Sequence, residues 1–468
     1  IPSLMEERYG KGTKTMFSLV IVVMYSILNL PVILYSGAVV FEQIFDISGI
    51  LGTSKFMAVA ILCLIIGIIG GCYAIFGGLK AVAVSDTING IGLIIGGLMI
   101  PFLALALLGH ETTGGGLVEG VKYLVQAEPE KLNAWASWDA AEPALPWPLI
   151  FTGMFFNNLY WWCTNQSFVQ RALAAKSLKE GQKGAIYCGF LKTIGFFYLV
   201  LPGVIAYHLP SIQDKLAAAG SSAIDFAYPA LVSAVVPKPV MGFFAAVMFG
   251  AILSSFNSVL NSASTIYALD IHRPLFNPTA SDARMVKIGQ NFGTVVAVVS
   301  TIMSPFMLYM GGITSFVNSA FAAFNTPIFV CLLCGFFWKK VPAIAAKIVI
   351  PVHVVLYFIL QFGLRNVIPA LNNIHYLYFT AILFVFDMLL MWVIVKKHPR
   401  ATDFELKDVG AVDLTPWKNG KIWATVTLLI MVLAYIIFSP LGFGKSEKTT
   451  YQNYLENQTT ASVSDSVQ

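Results

Sequence analysis

The chain has 468 residues, of which 57% are hydrophobic and only 11% carry a charged side chain. Soluble globular proteins average roughly 45–50% apolar and about 25% charged residues, so this composition excludes an ordinary soluble domain. The formal net charge of +5 is small and spread along the chain, which excludes a nucleic acid as a main partner.

Long apolar runs recur along the chain, and the mean hydropathy is +0.75. About 20 apolar residues cross the hydrocarbon core as a helix, which satisfies its own backbone hydrogen bonds there. We therefore predict an all-α polytopic membrane protein surrounded by membrane lipid. Eleven spans are predicted, at residues 15–44, 56–76, 82–108, 148–170, 185–208, 240–268, 285–309, 313–338, 343–363, 376–395 and 422–440.

The lysines and arginines between these spans are distributed unevenly, with nineteen on the side of the first residues and eight on the other. The positive-inside rule therefore predicts that the start of the chain is cytoplasmic, in a plasma or inner membrane. An odd number of spans then places the other end outside. Residues 1–440 are predicted to form the transmembrane domain, and the polar residues 441–468 a disordered tail outside the cell.

All six cysteines fall inside apolar segments, where disulfides and zinc sites are rare. We expect free, packed thiols at Cys63, Cys72, Cys163, Cys188, Cys331 and Cys334.

Four ionisable residues within the spans need an explanation, because a charge at the bilayer centre costs about 2.5–3.5 kcal/mol on insertion scales. Lys347 lies near the inner end of its span, where we expect its side chain to extend to the cytoplasm. Asp86 lies one turn into the third span, where it is either an acid favoured by the helix dipole or part of a functional site. Lys192 lies two turns into the fifth span, where its side chain either extends to the cytoplasm or belongs to a functional site. Asp387 lies in mid-span, which suggests pairing with a cation that the sequence does not identify.

Serines and other small polar residues recur every three or four positions over residues 251–265, on one face of the sixth span. Such a face often serves helix packing. It also offers several oxygen atoms to a hard cation such as Na⁺. Ser254 and Ser255 are the most suitable pair for that role.

Amides and indoles occur close together over residues 157–166 of the fourth span. A continuous helix would place Asn158, Trp161 or Trp162, and Asn165 on one face. Amides bind hydroxyl groups and flat rings cover the C–H face of a sugar, so this face suits a polyol. An aromatic belt with amide bonds between helices is the alternative interpretation.

The chain resembles the sodium/solute symporter family, and most closely its sodium/glucose and sodium/galactose cotransporter branch. The resemblance extends from end to end. The residues that carry it are Ile1-Pro2 with Glu6 and Arg8-Tyr9, Tyr73 with Gly77-Gly78-Leu79 and Ala81, Asn158 to Gln166 with Gln170-Arg171, Leu173 and Ala175-Lys176, Asn261 to Thr265 with Asp270-Ile271, and Phe337-Trp338-Lys339-Lys340.

The resemblance implies an inverted-repeat, leucine-transporter-like fold of five plus five helices with broken segments at a midplane site. Family members commonly have fourteen helices, so about three N-terminal helices are expected to be missing from these 468 residues. Na⁺, the implied coupling ion, would bind the carbonyl of Ala251 and the hydroxyls of Ser254 and Ser255, completed by a missing broken helix. Asp86 and Ser258 resemble an accessory sodium route.

For the solute, the resemblance implies Asn158 and Lys192 as hydroxyl partners and Trp161 as an inner aromatic gate, where close relatives carry Tyr. Asn318 aligns with a glutamine that is longer by one methylene. The implied function is sodium-coupled symport of a sugar or polyol by alternating access, without enzyme activity. A symporter of a carboxylate or sugar acid, and a solute sensor that transports nothing, are the alternatives.

Overall fold

The protein is built from helices. The computed structural model describes residues 1–140, 144–219, 223–309, 313–372, 374–405 and 412–444. The helices longer than five residues in these ranges are α1 Pro2–Tyr9, α2 Lys11–Phe45, α3 Lys55–Thr113, α4 Leu117–Ala127, α5 Gly153–Cys163, α6 Gln166–Leu173, α7 Leu178–Thr193, α8 Phe196–His208, α9 Pro210–Ala219, α10 Ala223–Val235, α11 Lys238–Phe276, α12 Asp282–Tyr309, α13 Ile313–Phe337, α14 Ile344–Leu364, α15 Tyr376–Lys397 and α16 Gly420–Ile437.

Ten of the eleven predicted spans correspond to helical segments of sufficient length. Nine described segments are long and apolar enough to cross a membrane, and the bent pair α7 and α8 makes a tenth. The long helix α3 contains two of the nine, Lys55–Ile75 and Val84–Thr113. The prediction of a polytopic all-α protein is therefore confirmed, and one predicted span, 148–170, differs.

Residues 148–170 do not form one continuous helix. A single turn at Trp147–Ile150 is followed by α5 and then α6, with a break at Thr164 and Asn165. Asn165 has an extended backbone, with φ −73° and ψ 124°, and its side chain accepts a hydrogen bond from Ser167 N at 3.0 Å. Asparagine is among the best N-cap residues, so it starts a new helix here. The predicted common face of Asn158 and Asn165 is therefore wrong.

The centre of the bundle lies where α11 packs against α3 and α2. A Cβ atom on Gly37 of α2 would lie 2.8 Å from the side chain of Ile252 on α11. No real Cβ contact is that short, so glycine allows the two helices to approach. Ile252, Phe256 and Leu260 belong to the large buried cluster at this contact. The helix that carries the serine face is thus fixed in the middle of the protein.

The segment Arg8-Tyr9 of the family motif fixes α1 to the end of α13. The buried guanidinium of Arg8 donates to the carbonyls of Gly335, Trp338 and Val341 at 2.8–2.9 Å, and Tyr9 donates to the carbonyl of Cys331 at 2.6 Å. The last carbonyls of a helix have no partners within it and carry partial negative charge. Gly335 lies in the last turn of α13, and Trp338 and Val341 follow its end, so Arg8 caps the end of the helix and the turn after it. Burial lowers the pKa of its guanidinium.

Asp387 pairs with His353, a partner that the sequence did not indicate. Nδ1 of His353 on α14 lies 2.6 Å from Oδ2 of Asp387 on α15, and both side chains are 0% exposed. The other polar atoms, His353 Nε2 and Asp387 Oδ1, are buried and have no partner among the described residues. The pair therefore joins α14 and α15 through two fully buried side chains.

All six cysteines are unpaired, as predicted, although Cys72, Cys163 and Cys188 are exposed rather than packed. Residues 441–444 of the predicted tail form a turn in which Phe443 N donates to Ile437 O at 2.7 Å. The rest of that tail, residues 445–468, lies outside the described residues.

Candidate functional site

The serine face of α11 presents free oxygen atoms at the position predicted for sodium. Ala251, Ser254 and Ser255 are spaced i, i+3 and i+4, so they lie on one face within one turn. Ser254 is half-buried and Ser255 is exposed. Neither hydroxyl has a hydrogen-bond partner among the described residues, and the carbonyl of Ala251 retains a second lone pair. This turn can offer three neutral oxygen ligands to a cation.

Asp86 and Ser258 meet at a third residue, Arg171. Nη2 of Arg171 donates to Oδ2 of Asp86 and to Oγ of Ser258. Oγ of Ser258 donates in turn to the carbonyl of Ser254 at 2.7 Å. The structure therefore brings the two predicted accessory residues together from α3 and α11, and connects them to the turn that carries Ser254.

Asn89 makes a second contact between α3 and α11 beside this cluster. Its Nδ2 donates to the carbonyl of Gly250 at 3.1 Å. A Cβ on Gly250 would lie 2.3 Å from Oδ1 of Asn89, so a larger residue here would displace the Asn89 side chain from this position. The residue before Ala251 is thereby fixed to the helix that carries Asp86.

The remainder of the serine face points elsewhere. Asn261, Ser264 and Thr265 line a separate cavity of about 600 Å³ between α11, α12 and Ala74 of α3. Gln290 of α12 closes one side by donating to the carbonyl of Ile75 at 3.2 Å. The polar positions of α11 therefore serve two different environments, the Asp86 cluster at Ser258 and the cavity at Asn261, Ser264 and Thr265.

Trp161 connects α5 to the helix that carries Asn318. The ring of Trp161 packs edge-on against Phe321 of α13, with centroids 5.4 Å apart. Asn318 lies one turn before Phe321 and is exposed, and Asn158 lies one turn before Trp161 and is half-buried. The structure thus places three of the four predicted solute residues on two contacting helices, α5 and α13.

Lys192 lies against the neighbouring indole, Trp162, rather than Trp161. Its Nζ is 4.8 Å from the centroid of the Trp162 ring, a cation–π distance. Successive residues of a helix point about 100° apart, so Trp161 and Trp162 face different sides of α5. Within the described ranges, no hydrogen bond joins any two of the predicted solute residues Asn158, Trp161, Lys192 and Asn318.

Two buried groups that hold this region were not predicted from the sequence. The amide of Asn325 is 0% exposed and lies 3.2 Å from both Nε1 of Trp161 and Oδ1 of Asn157. Tyr25, in a π-helical turn of α2, donates to Oδ1 of Asn165 at 2.8 Å. Asn325 could have been found from the sequence, because an amide within an apolar span needs a hydrogen-bond partner. Tyr25 could not, because a tyrosine among apolar residues is ordinary in such a span.

Known proteins resemble this chain over most of its length. The sodium:solute symporter family matches residues 1–348. The uncharacterized symporter YidK of Escherichia coli is 39% identical over 443 residues, 94% of this chain and 74% of that protein. The sodium/glucose cotransporter of Vibrio parahaemolyticus is 31% identical over 406 residues, 83% of this chain and 71% of that protein.

The human sodium/myo-inositol cotransporter 2 is 29% identical over 420 residues, 82% of this chain and 59% of that protein. The solved structure of a substrate-bound, outward-open Na⁺-coupled sialic acid symporter matches with a TM-score of 0.70 at 20% identity, over 86% of this chain and 78% of that one. This likeness confirms the predicted inverted-repeat fold. The chain belongs to the sodium:solute symporter family, and is a multi-pass membrane symporter with Na⁺ as its coupling ion rather than an enzyme.

Proposed function

We propose that this symporter moves a sugar or a polyol. The observation that carries the proposal is the contact between α5 and α13, where the indole of Trp161 packs against Phe321 and the half-buried Asn158 lies one turn before Trp161. A few polar groups among aromatic rings are typical of small-molecule sites. The names of two relatives, a glucose and a myo-inositol cotransporter, support the same class of solute.

We further propose that Na⁺ binds the carbonyl of Ala251 and the hydroxyls of Ser254 and Ser255, and that Asp86 and Ser258 form an accessory sodium position. The unpartnered hydroxyls of Ser254 and Ser255 support the first assignment. Asp86 and Ser258 lie close enough together to share one cationic partner, which supports the second. The distribution of basic residues supports a cytoplasmic start for a transport domain over residues 1–440, with residues 441–468 outside.

Sodium-driven uptake into proteoliposomes tests the function and the ion site together. Labelled hexoses and myo-inositol should accumulate when sodium is outside. Replacing Ser254 and Ser255 together by alanine should weaken the apparent sodium affinity at least about tenfold, because two oxygen ligands are lost. Ser264→Ala is the matched control, since that hydroxyl is bonded to the carbonyl of Leu260 within the same helix. Normal sodium dependence in the double variant would disprove the ligand set.

The solute residues have their own test. Asn158→Ala and Lys192→Ala each remove a hydroxyl partner, for which we expect binding weaker by about 1–3 kcal/mol. Lys183→Ala, on the same helix as Lys192 and paired with Glu180 at 2.9 Å, is the control. Unchanged apparent solute affinity in both site variants would disprove their assignment.

A sugar acid is the second candidate solute, and one observation favours it. The ammonium of Lys192 is exposed and has no carboxylate partner among the described residues, so it could bind an acidic solute. Uptake of a hexuronate or sialate that neutral hexoses do not inhibit, and that Lys192→Met abolishes, would select this candidate. Solute binding without sodium-dependent flux would instead indicate a sensor.

A further inference from the structure

Arg171 occupies the space between the two residues proposed as the accessory sodium position. One nitrogen, Nη2, contacts both Asp86 and Ser258, while Nη1 donates to the carbonyl of Ser167 at 2.9 Å. Ser167 and Arg171 belong to the same short helix, α6. The positive charge at the Asp86 carboxylate therefore comes from the protein itself and is carried on the segment that follows the helix break.

The carboxylate is only half satisfied by this contact. Oδ2 of Asp86 accepts from Arg171, but Oδ1 is buried and has no hydrogen-bond partner among the described residues. A buried charged oxygen without a partner is unfavourable, and a small cation would satisfy it. The site thus retains an oxygen suited to Na⁺ beside the guanidinium.

A guanidinium and Na⁺ cannot both bind this carboxylate without repulsion. Asp86 and Arg171 together are neutral, so adding Na⁺ would place two cations at one carboxylate, where they repel each other at short distance. Removing the guanidinium first would leave Na⁺ and Asp86 neutral together. The two cations therefore exclude each other in part.

We propose that Arg171 is an internal cation that competes with Na⁺ for Asp86. The proposal rests on the proposed function and assigns a residue that weakens sodium binding at the accessory position. When Arg171 contacts Asp86 and Ser258, Na⁺ is released from them. When Na⁺ binds Asp86, the guanidinium moves away, and its side chain is exposed enough, at 35%, to do so.

The helix break gives this competition a connection to the solute. Arg171 lies on α6, whose first turn is held by Asn165 and Tyr25. Trp161, a proposed solute contact, lies on α5 immediately before the same break. A change in the angle between α5 and α6 would shift Arg171 relative to Asp86, so occupation of the solute site would alter sodium affinity.

Sodium binding to the purified protein without solute tests the proposal. In Arg171→Gln the apparent dissociation constant for ²²Na⁺ should fall about tenfold, within the usual range of coupling between sites, while the uptake turnover falls because release is slower. In Asp86→Asn with Arg171→Gln the gain should disappear. Arg273→Gln, which removes an exposed pair with Asp282 at 3.1 Å, is the matched control and should bind sodium like the unaltered protein.

Unchanged or weaker sodium binding in folded Arg171→Gln would overturn the proposal and make Arg171 a structural clamp. If that variant does not fold, Arg171→Lys decides, because one ammonium on a shorter side chain holds Asp86 and Ser258 less well. Sodium binding about threefold tighter is then expected, and unchanged or weaker binding would again overturn the proposal. Failure of the unaltered protein to show sodium-dependent uptake would instead count against the proposed function.

Discussion

Asp86 and Asp387 are both carboxylates within membrane-spanning helices, but the two side chains differ in how far they are buried. Asp86 is 20% exposed and meets an arginine that is 35% exposed. Asp387 and its partner His353 are both 0% exposed. Each aspartate leaves Oδ1 buried without a partner among the described residues. The two sites therefore share an unsatisfied oxygen and differ in whether the partner can leave.

This difference separates an exchangeable contact from a fixed one. An ion pair that is partly exposed contributes less than a buried one, with about 0–1 kcal/mol at fully exposed sites. Separating a fully buried pair leaves a charge in a low dielectric medium and costs several kcal/mol. The Asp86 cluster can change partners during transport, whereas the His353–Asp387 pair holds α14 against α15.

Breaking the buried pair of His353 and Asp387 should have the largest effect on folding. His353→Ala strands the carboxyl group of Asp387 among apolar residues, and we expect a loss of about 3–5 kcal/mol of stability. Thermal unfolding of the detergent-solubilised protein measures it. Replacing His353 and Asp387 together by leucine should recover most of the loss, because no unpaired polar group remains. A double variant as unstable as the single one would contradict this view.

Changing the Asp86 cluster should affect ion binding more than folding. Asp86→Asn removes the negative charge that attracts Na⁺, so we expect sodium affinity to fall about tenfold, or 1.4 kcal/mol. Stability should change by less than about 1 kcal/mol, because the pair with Arg171 is partly exposed. Sodium binding and thermal unfolding of the same sample give both numbers. A stability loss equal to that of His353→Ala would remove the distinction between the two sites.

The smallest effect is expected at the helix break. Tyr25→Phe deletes the donor to Oδ1 of Asn165, which keeps its bond from Ser167 N, so we expect a loss of about 0.5–1.5 kcal/mol. Hydrogen exchange in the first turn of α6 should become faster. Tyr187→Phe, at an exposed position of α7, should leave that exchange unchanged. Equal exchange in both variants would show that Tyr25 does not hold the break.

The sequence predicted the spans more reliably than the contacts between them. Ten of the eleven spans follow from the length of their apolar runs, because the bilayer imposes that length on a helix. The break at Asn165 was missed because the polar residues 164–167 were assigned to one face of a continuous span, while the cap depends on one backbone conformation. Asn165 has a high N-cap propensity, but it also follows an apolar run. Composition alone therefore did not decide between one continuous helix and two helices.

The candidate site shows the same limit. The spacing of Ser254, Ser255 and Ser258 was readable, since neighbours on a helix face are three or four residues apart. Arg171 was visible as a residue of the family motif, but its contacts join positions 85 and 87 residues away. No local pattern reports such a distance. The same holds for His353 and Asp387, which lie on different helices.

The sequence by itself determined that this is a polytopic membrane protein with a hydroxylated helix face and an amide-aromatic segment, because hydrophobic length and helical periodicity are local properties. Only the tertiary structure decided that Arg171 lies between Asp86 and Ser258, that Lys192 lies on Trp162, and that Asp387 pairs with His353. Those contacts depend on which faces of distant helices meet. Packing sets that choice through close approaches such as those at Gly37 and Gly250.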